Sequence, residues 1–578
     1  MQGSILRNTL RLVLPVAALL LSGNALLASV SCAVVQPHPP SEAEKAFLAA
    51  DYAKAANLYQ AGLASHPGDA ELTAGLVRAL LHQQKVQEAA DAVKASLAAA
   101  PNSPPLISLR GEVEYRQGKP WLASQSAIES YKADPCNPRN HLLLADLGRI
   151  NSLYATSRRE LEVAHKLDPG DPEIRGRWIG TLPTKQRIAE LEAYLAAPTG
   201  NDQDDTRHWR MYLDSLKKRE SEPHKACRLV SSTESTEIPF ERIMFDANRI
   251  QAFGLDVKLN GKSALLQIDT GAGGLLVTRS VAQHAGLKPF SETEFGGIGD
   301  QGYKPGYSAY ADSIRIGNLE FQDCQVEVLD SRSTLSAEGL IGMDVFSRFL
   351  VTLDYPMRKL LLGQLPPRPG ESAAAAPSLK TGNAERDDDE DSAAAAKPGD
   401  QSKAAAPETS AGATAVAASG SSAPANTTRG PFDRYVAPEM KDYDKVYRVG
   451  HDLILPAGLN GKDVRLFIMD TGAFATTISP EAARDVTHVR SDDLHHVHGI
   501  SGEVNKVYSA DEITFRFAQL SQKVSDVVAF DTSHISKSTN MEISGFIGAN
   551  TLNLLTIHID YRDGLVKFDY DPKRGYRF

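Results

Sequence analysis

The sequence is poor in several features that mark whole classes of protein. Its 578 residues include 4 cysteines and 3 tryptophans, and aromatic residues make up 7% of the chain. Four cysteines in so long a chain exclude a disulfide-framework protein. There is no Lys/Arg-rich stretch and the net charge is −10, which argues against nucleic acid as a partner. The contents of 42% apolar and 23% charged residues are ordinary for a soluble protein, and they exclude collagen-like, mucin-like and wholly disordered chains.

The N-terminus has the order of a secretory signal peptide. Arg7 and Arg11 precede an apolar run at residues 12–22, and small residues follow it. The run is broken by Pro15 and is shorter than the ~20 residues that span a membrane. We therefore predict that residues 1–33 are a signal peptide and that the protein is exported, either to a periplasm or to the outside.

The cysteine near the predicted cleavage site offers an alternative. Cleavage after Ala33 leaves small residues at the required positions, whereas a lipoprotein would carry its lipid on Cys32. Ser29 occupies a position where lipoprotein sites prefer Leu, so a membrane attachment is expected only in this second case. The remaining cysteines show no pairing pattern and are expected to be buried or unpaired thiols: Cys136, Cys227 and Cys324.

A repeat of 34 residues organises the next part of the chain. Four prolines mark it: Pro67, Pro101, Pro135 and Pro169. Between them, sets such as Ala89, Val93 and Leu97 fall on one face of a helix, and each proline is expected to end the second helix of a unit. This stretch resembles the tetratricopeptide repeat and predicts an all-α array over 38–220, of which 172–220 is a helical cap. The resemblance implies a surface for a protein partner, and a simple spacer is the alternative.

Two later segments carry the same landmarks in the same order. An Asn-Gly turn is followed by an apolar strand ending in Asp-Thr-Gly-Ala, then a glycine-rich loop, then two apolar residues with Gly, and then Asp-Tyr. The paired landmarks are Asn260/Asn460, Asp269/Asp470, Gly342/Gly548 and Asp354/Asp560. Glycine frees the intervening loop to move as a flap, and the flap glycines are Gly296, Gly297, Gly299, Gly499 and Gly502.

This pattern is similar to the lobe of retropepsin-like aspartic proteases. The resemblance covers lobes at 237–365 and 431–578, both all-β, and it implies an aspartic-type endopeptidase that acts on proteins or peptides without a metal or other cofactor. Asp269 and Asp470 become the catalytic pair. The resemblance also gives supporting roles to their neighbours, namely Thr270, Gly271, Ala272, Thr471, Gly472 and Ala473.

The implied chemistry needs two carboxylates that share one proton. Two carboxylates held a few Å apart cannot both ionise, so one accepts a proton from water and the other polarises the peptide carbonyl. Each lobe supplies one Asp, so the lobes pair either within one chain or as a homodimer. Because Ala272 and Ala473 lack a hydroxyl that would stabilise the ionised carboxylate, the pH optimum should not fall below about 3.

Two further segments complete the sequence. Residues 366–430 contain no aromatic residue and two large aliphatic ones, so a disordered linker is predicted there. His495, His496 and His498 form a cluster near Asp492 and Asp493, and a solvated loop is favoured over a metal site because no distant partner is apparent. The alternative to a protease is a non-catalytic scaffold that binds peptides with its lobes and repeats.

Overall fold

The structure is a computed structural model that describes residues 32–231, 235–244, 250–330, 337–369 and 432–574. Nearly all of the predicted signal peptide and nearly all of the predicted linker lie outside the described residues. Among the described residues, no helix combines the length and the apolar character needed to cross a membrane.

The first part of the described chain is helical. Consecutive helices pack in pairs and are followed by a cap, as predicted. The helices are α1 (Glu42–Leu48), α2 (Tyr52–Ser65), α3 (Ala70–His82), α4 (Val86–Ala99), α5 (Pro104–Arg116), α6 (Pro120–Ala133), α7 (Pro138–Ile150), α8 (Tyr154–Leu167), α9 (Pro172–Ile179), α10 (Thr184–Leu195) and α11 (Gln203–Ser221).

The prolines of the repeat lie where the periodicity places them. Each stands two residues beyond the last residue of α2, α4, α6 or α8, where proline cannot continue the helix. Small residues allow the helices to approach closely, because a Cβ on Gly111 would lie 2.7 Å from Cδ2 of Leu143. The predicted helical array is therefore confirmed.

Lobe 1 is built from strands. Its elements are β1 (Arg228–Leu229), β2 (Thr236–Pro239), β3 (Glu241–Met244), β4 (Ile250–Leu259), β5 (Lys262–Asp269), β6 (Leu275–Thr278), α12 (Arg279–Ala285), β7 (Lys288–Phe295), β8 (Lys304–Ile316), β9 (Leu319–Leu329), β10 (Gly339–Gly342), β11 (Phe349–Asp354) and β12 (Lys359–Gln364). Its main sheet has the order β1-β9-β6-β10-β5-β4-β8-β7, with β3 beside β4.

Lobe 2 repeats this plan with shorter strands. Its elements are β13 (Asp444–Lys445), β14 (Tyr447–Val449), β15 (Asp452–Leu459), β16 (Asp463–Met469), β17 (Thr477–Ile478), α13 (Pro480–Arg484), β18 (Val489–Ser491), β19 (His498–Gly499), β20 (Gly502–Glu503), β21 (Tyr508–Ala510), β22 (Ile513–Phe517), β23 (Leu520–Val524), β24 (Val527–Ala529), α14 (Ser533–Thr539), β25 (Gly545–Ile547), α15 (Ala549–Leu552), β26 (Thr556–Asp560) and β27 (Leu565–Asp569). Its main sheet runs β18-β21-β24-β17-β25-β16-β15-β22-β23.

The predicted Asn-Gly turns open equivalent hairpins in the two lobes. Asn260 and Asn460 both have positive φ, and the glycines after them do as well, as such turns require. Each Asn also accepts a backbone N–H from a neighbouring strand, from Ser313 in lobe 1 and from Thr514 in lobe 2. The duplication seen in the sequence is therefore a duplication of backbone geometry.

A third sheet joins the lobes within one chain. Its order is β13-β27-β26-β11-β12-β2, and β11 of lobe 1 pairs antiparallel with β26 of lobe 2, with Val351 opposite Ile559. Buried side chains of both lobes belong to one continuous hydrophobic core. Both lobes of the described chain thus form a single unit, and a partner chain is not needed to bring them together.

The helical array is packed against lobe 2 rather than separated from it. Side chains of α5, α6 and α7 share a hydrophobic cluster with strands β14, β15, β16 and β25. The backbone N–H of Glu542 donates to the carbonyl of Arg116 at 2.9 Å. A Cβ on Gly118 would lie 2.5 Å from the carbonyl oxygen of Glu542, so a glycine is required at this contact.

The cap of the array reaches lobe 1. On α11, the guanidinium of Arg207 pairs with Glu294 of β7 at 3.1 Å, and Lys218 lies over the ring of Phe290. His208 contacts Tyr303, which follows the glycine-rich loop of lobe 1. The array therefore bridges from lobe 2 to lobe 1.

The expectation of unpaired thiols is wrong. Cys32 forms a disulfide with Cys136, and Cys227 forms one with Cys324. The error came from removing Cys32 with the signal peptide, which left an odd number of cysteines. The disulfide uses the sulfur of Cys32, which lipidation would also require and which a boundary after Ala33 would remove.

The second disulfide should contribute measurably to stability. It closes a loop with a sequence separation of 97 residues, and disulfides closing loops of this size typically stabilise a protein by about 2–4 kcal/mol. The double variant Cys227→Ser/Cys324→Ser is expected to lose that much free energy of unfolding in a denaturant titration. Unchanged stability, together with alkylation of both thiols in the unreduced wild type, would show that the pairing is wrong.

Candidate active site

The two predicted aspartates lie side by side at the interface of the lobes. Asp269 is the last residue of β5, and Asp470 directly follows β16. Each stands next to the apolar-apolar-Gly segment of its own lobe, since Gly342 of β10 is in register with Asp269 and the N–H of Asp470 donates to the carbonyl of Ile547 at 3.0 Å. The two carboxyl groups approach each other closely enough that the charge of Asp470 raises the pKa of Asp269, so the pair is expected to share a proton.

The threonines after the aspartates interlock the lobes. The N–H of Thr270 donates to Oγ1 of Thr471 at 3.1 Å, and the N–H of Thr471 donates to Oγ1 of Thr270 at 3.0 Å. Each hydroxyl then donates to a carbonyl of the opposite lobe, Thr270 to Met469 at 2.7 Å and Thr471 to Ile268 at 3.3 Å. Both threonines are buried, so this reciprocal network fixes the spacing of the aspartates.

The glycines after the threonines leave room for the opposite carboxylate. A Cβ on Gly472 would lie 2.3 Å from Oδ2 of Asp269, and one on Gly271 would lie 2.8 Å from Cγ of Asp470. Real side chains do not approach so closely, so both positions require glycine for the carboxyls to meet.

The surroundings of the two carboxyls are unequal. Oδ1 of Asp470 accepts the N–H groups of Gly472 at 2.8 Å and Ala473 at 2.9 Å, whereas Oδ1 of Asp269 accepts the N–H of Gly271 at 2.8 Å. Burial raises the pKa of both, and the nearby Asp470 charge holds the pKa of Asp269 well above its usual range. The shared proton therefore favours Asp269, and Asp470 is the better carboxylate.

Two loops close over the aspartates. We call the turn between β7 and β8 flap 1 and residues 496–504, which contain the hairpin of β19 and β20, flap 2. They contact each other directly: the N–H of Gly297 donates to the side-chain Oγ of Ser501 at 3.1 Å, and the N–H of Ser501 donates to the carbonyl of Ile298 at 3.0 Å. Gly299 and Gly502 have positive φ, which glycine adopts without strain.

The aspartates and flaps line one large cavity together with the helical array. The cavity has a volume of about 1550 Å³. Its array wall comes from α3, α5, α7, α9 and α11, and includes Arg78, Glu112, Arg116, Arg139, Glu173 and His208. Much of that wall is held by ion pairs within it, since Arg139 pairs with Glu112 at 2.6 Å and with Glu173 at 2.5 Å. The array thus forms one side of the chamber above the aspartates.

Two cavity residues that the sequence reading missed make the lobes unequal. His451 occupies the position of Gln251 in lobe 1, and its Nε2 lies 3.2 Å from the carbonyl oxygen of Gly271. Phe474, four residues after Asp470, is 72% exposed and lines the cavity, whereas lobe 1 has Gly273 there. A position-by-position comparison of the two copies would have found both differences.

Two polar side chains hold the loops that follow the aspartates. Oδ1 of Asp344 accepts the N–H of Gly274 at 3.0 Å, and Oδ1 of Asn550 accepts the N–H of Thr476 at 2.8 Å. Each lies two residues after the glycine of the apolar-apolar-Gly segment, at Gly342 or Gly548, so their shared spacing was visible in the sequence.

The histidine cluster divides between two sets of partners. His495 pairs with Asp492 at 2.6 Å, whereas His496 pairs with Glu503 at 3.0 Å across flap 2. His498 stands opposite Glu503 in the β19–β20 ladder. Glu503 is therefore the acidic partner near His496 and His498 that the sequence did not reveal.

Comparisons with known proteins agree with this architecture. A sequence model described as aspartyl protease matches residues 255–345, and one described as tetratricopeptide repeat matches residues 46–113. No curated protein shows significant similarity to the chain. The solved structures that match include a retropepsin-like aspartic protease from Rickettsia conorii, at 24% identity over 23% of this chain and 93% of that chain, with a TM-score of 0.18. A TM-score this low carries no argument about the fold.

The chain is thus a protease-like protein with N-terminal tetratricopeptide repeats and a region similar to aspartyl proteases. The family match covers most of lobe 1, including Asp269. The predicted helical array followed by two β-rich lobes is confirmed in the described residues.

Proposed function

We propose that the protein is an aspartic-type endopeptidase in which Asp269 and Asp470 of one chain activate water. The observation that carries this proposal is that each aspartate packs against the glycine of the opposite lobe, in an arrangement held by reciprocal bonds between Thr270 and Thr471. A structural ion pair would need a cation, and here two acids face each other inside a cavity. Perturbed acids of this kind mark catalytic sites more often than structural ones.

The unequal surroundings of the acids assign their roles. Asp470, whose anion accepts two backbone N–H groups, takes a proton from water as the water oxygen bonds to the peptide carbonyl carbon. Asp269 gives its proton to the carbonyl oxygen. The tetrahedral intermediate then breaks its C–N bond while the proton on Asp470 passes to the leaving nitrogen, and Asp269 regains its proton from the hydroxyl group that becomes the new carboxyl.

The chamber suits an extended stretch of polypeptide. The flaps meet through hydrogen bonds that join Gly297 and Ile298 to Ser501, so substrate must part them before it reaches the aspartates. Once parted, flap backbone groups can pair with an extended chain in the manner of a β-strand. A folded domain would not fit the volume of about 1550 Å³, so an unfolded segment or a peptide is the proposed substrate.

The array is proposed to take part in substrate binding as a wall of the chamber. Part of its surface is already occupied by lobe 2, as the bond between Glu542 and Arg116 shows. Its cavity-lining residues include Arg116, Arg177 and His208, which line the same cavity as the aspartates. Binding of a separate partner protein by the repeats stays a prediction.

Export stays a proposal, supported by two features. The N-terminal residues have the order of a signal peptide, and both cysteine pairs are disulfides. Disulfides form and persist in oxidising compartments such as a periplasm. The protein is therefore proposed to work outside the cytoplasm, as a secreted or periplasmic enzyme.

The pH profile of cleavage should follow the shared proton. Activity requires an ionised Asp470 and a protonated Asp269, so it rises as the first loses its proton and falls as the second does. Burial raises both pKa values above the ordinary value of 3.8. We therefore expect a bell-shaped plot of kcat/KM against pH with its maximum above about pH 4. A maximum below about pH 3 would contradict the assignment.

The proposal is tested by cleavage of an unfolded protein such as reduced casein. The wild type should release peptides, and the double variant Asp269→Asn/Asp470→Asn should not. Asp256→Asn is the matched control, because Asp256 is exposed on β4 and lies outside the cavity. Wild-type protein that binds casein without cleaving it would instead identify the scaffold alternative.

A further inference from the structure

Flap 2 carries three side chains whose geometry suits a metal ion. His496, His498 and Glu503 present ligand atoms that all lie within 4.8 Å of one another. Tetrahedral zinc with Zn–N bonds of 2.0–2.1 Å places its ligands ~3.3 Å apart, so small side-chain rotations would complete the site. Among the residues that the structure describes, this is the one such group of three.

The backbone of the hairpin presents these side chains together. His496 and His498 are separated by one residue, and their rings are stacked with centroids 6.4 Å apart. Glu503 stands opposite His498 in the β19–β20 ladder, and its carboxylate already lies 3.0 Å from Nδ1 of His496. The N–H of Val504 donates to the carbonyl of Val497 at 2.9 Å, which fixes the register below the site.

The donor set selects the class of ion. Two imidazoles and one carboxylate are the ligands of zinc sites that keep a fourth position for water, whereas magnesium and calcium prefer oxygen ligands alone. We propose that His496, His498 and Glu503 bind one Zn²⁺ ion on flap 2.

The position of this site links it to the movement of the flaps. The carbonyl oxygen of Glu503 accepts the N–H of Asp300 in flap 1 at 3.1 Å, and a carboxylate oxygen of Asp300 accepts the N–H of Asn505. A metal joining the two strands of flap 2 therefore stiffens it at the contact that must break when the flaps part. Zinc binding should slow turnover, and this second part of the proposal rests on the proposed protease function.

The binding claim is tested by calorimetric titration of the untagged full-length protein with ZnCl₂. One Zn²⁺ per chain is expected, and the affinity should fall about tenfold or more in His496→Ala and in His498→Ala, since even loss of an outer-shell partner costs 10–100-fold. His488→Ala is the matched control, because His488 is also exposed in lobe 2 and faces one carboxylate, Asp511. No saturable binding by the wild type, or equal affinity in His498→Ala, would overturn the proposal.

Two readouts separate the metal site from the catalytic proposal. Asp470→Asn should bind Zn²⁺ as the wild type does, which a site at the aspartates would not allow. Hydrogen exchange at residues 497–504 should slow with Zn²⁺ in the wild type and not in His498→Ala. If Zn²⁺ binds but flap exchange and turnover do not change, the linkage to flap movement is wrong.

Discussion

Asp470→Asn is expected to slow peptide cleavage by roughly 10²–10⁴-fold while raising the melting temperature. The loss of rate follows because an amide cannot accept the proton from water, and general base catalysis contributes about that factor. The Asn oxygen still accepts the N–H groups of Gly472 and Ala473, so the local backbone should remain in place.

The gain in stability follows from the raised pKa values of the pair. Burial raises both, and the charge of Asp470 raises the pKa of Asp269 further, so ionisation of the pair destabilises the folded state at neutral pH, and this cost disappears as the pH falls below the ordinary value of 3.8. Relief of about 1 kcal/mol raises the melting temperature by about 2–4 °C in a domain of this size. The rise should be seen at pH 7 by calorimetry and should vanish near pH 3. Asp256→Asn should change neither rate nor stability, and a lower melting temperature of Asp470→Asn at pH 7 would contradict the account.

Thr471→Val is expected to reduce both activity and stability. The change removes the acceptor of the Thr270 N–H and the donor to the carbonyl of Ile268, and both groups are buried. Each orphaned group costs about 1–3 kcal/mol. The lobes then lose their fixed spacing, and a shift of ~1 Å between reacting groups can cost about 10²-fold in rate.

Thr471→Ser is the matched control for this substitution. Serine keeps the hydroxyl and loses only a methyl group, which is worth about 0.8 kcal/mol when buried. Its kcat should stay close to that of the wild type, whereas kcat of Thr471→Val should fall. Equal kcat values for the two variants would show that the threonine network does not position the aspartates.

Features that are local or duplicated were predictable from the sequence. The prolines repeat every 34 residues and mark helix ends, and the two Asp-Thr-Gly-Ala segments end strands that share one plan. The Asn-Gly turns at Asn260 and Asn460 follow from local backbone preferences, since glycine and asparagine tolerate positive φ. Such features need no knowledge of distant contacts.

The remaining features depend on residues far apart in the chain. The core between α5–α7 and lobe 2, and the pairing of Cys227 with Cys324, leave no periodicity in the sequence. The partner of the histidine cluster was not apparent from the sequence either, because Glu503 joins His498 only through the register of a hairpin. His451 and Phe474 stand at positions where the two lobes differ, so the sequence duplication does not point to them.

The structure changes the expected role of the repeats. An array joined to lobe 2 by a shared core, to flap 1 by His208 and to the preceding strand β7 by Arg207 can influence how the flaps open as well as what enters the chamber. Substrate selection and flap movement would then be coupled through α11, whose contacts with Glu294 and Tyr303 lie beside flap 1.

The central claim is that one chain supplies both aspartates of a working site. The most direct measurement is casein cleavage by Asp269→Asn alone, by Asp470→Asn alone, and by an equimolar mixture of the two at the concentration at which the wild type is active. A dyad within one chain predicts that all three samples stay at the background rate. Substantial activity in either single variant, recovery in the mixture, or an inactive wild type would contradict the claim.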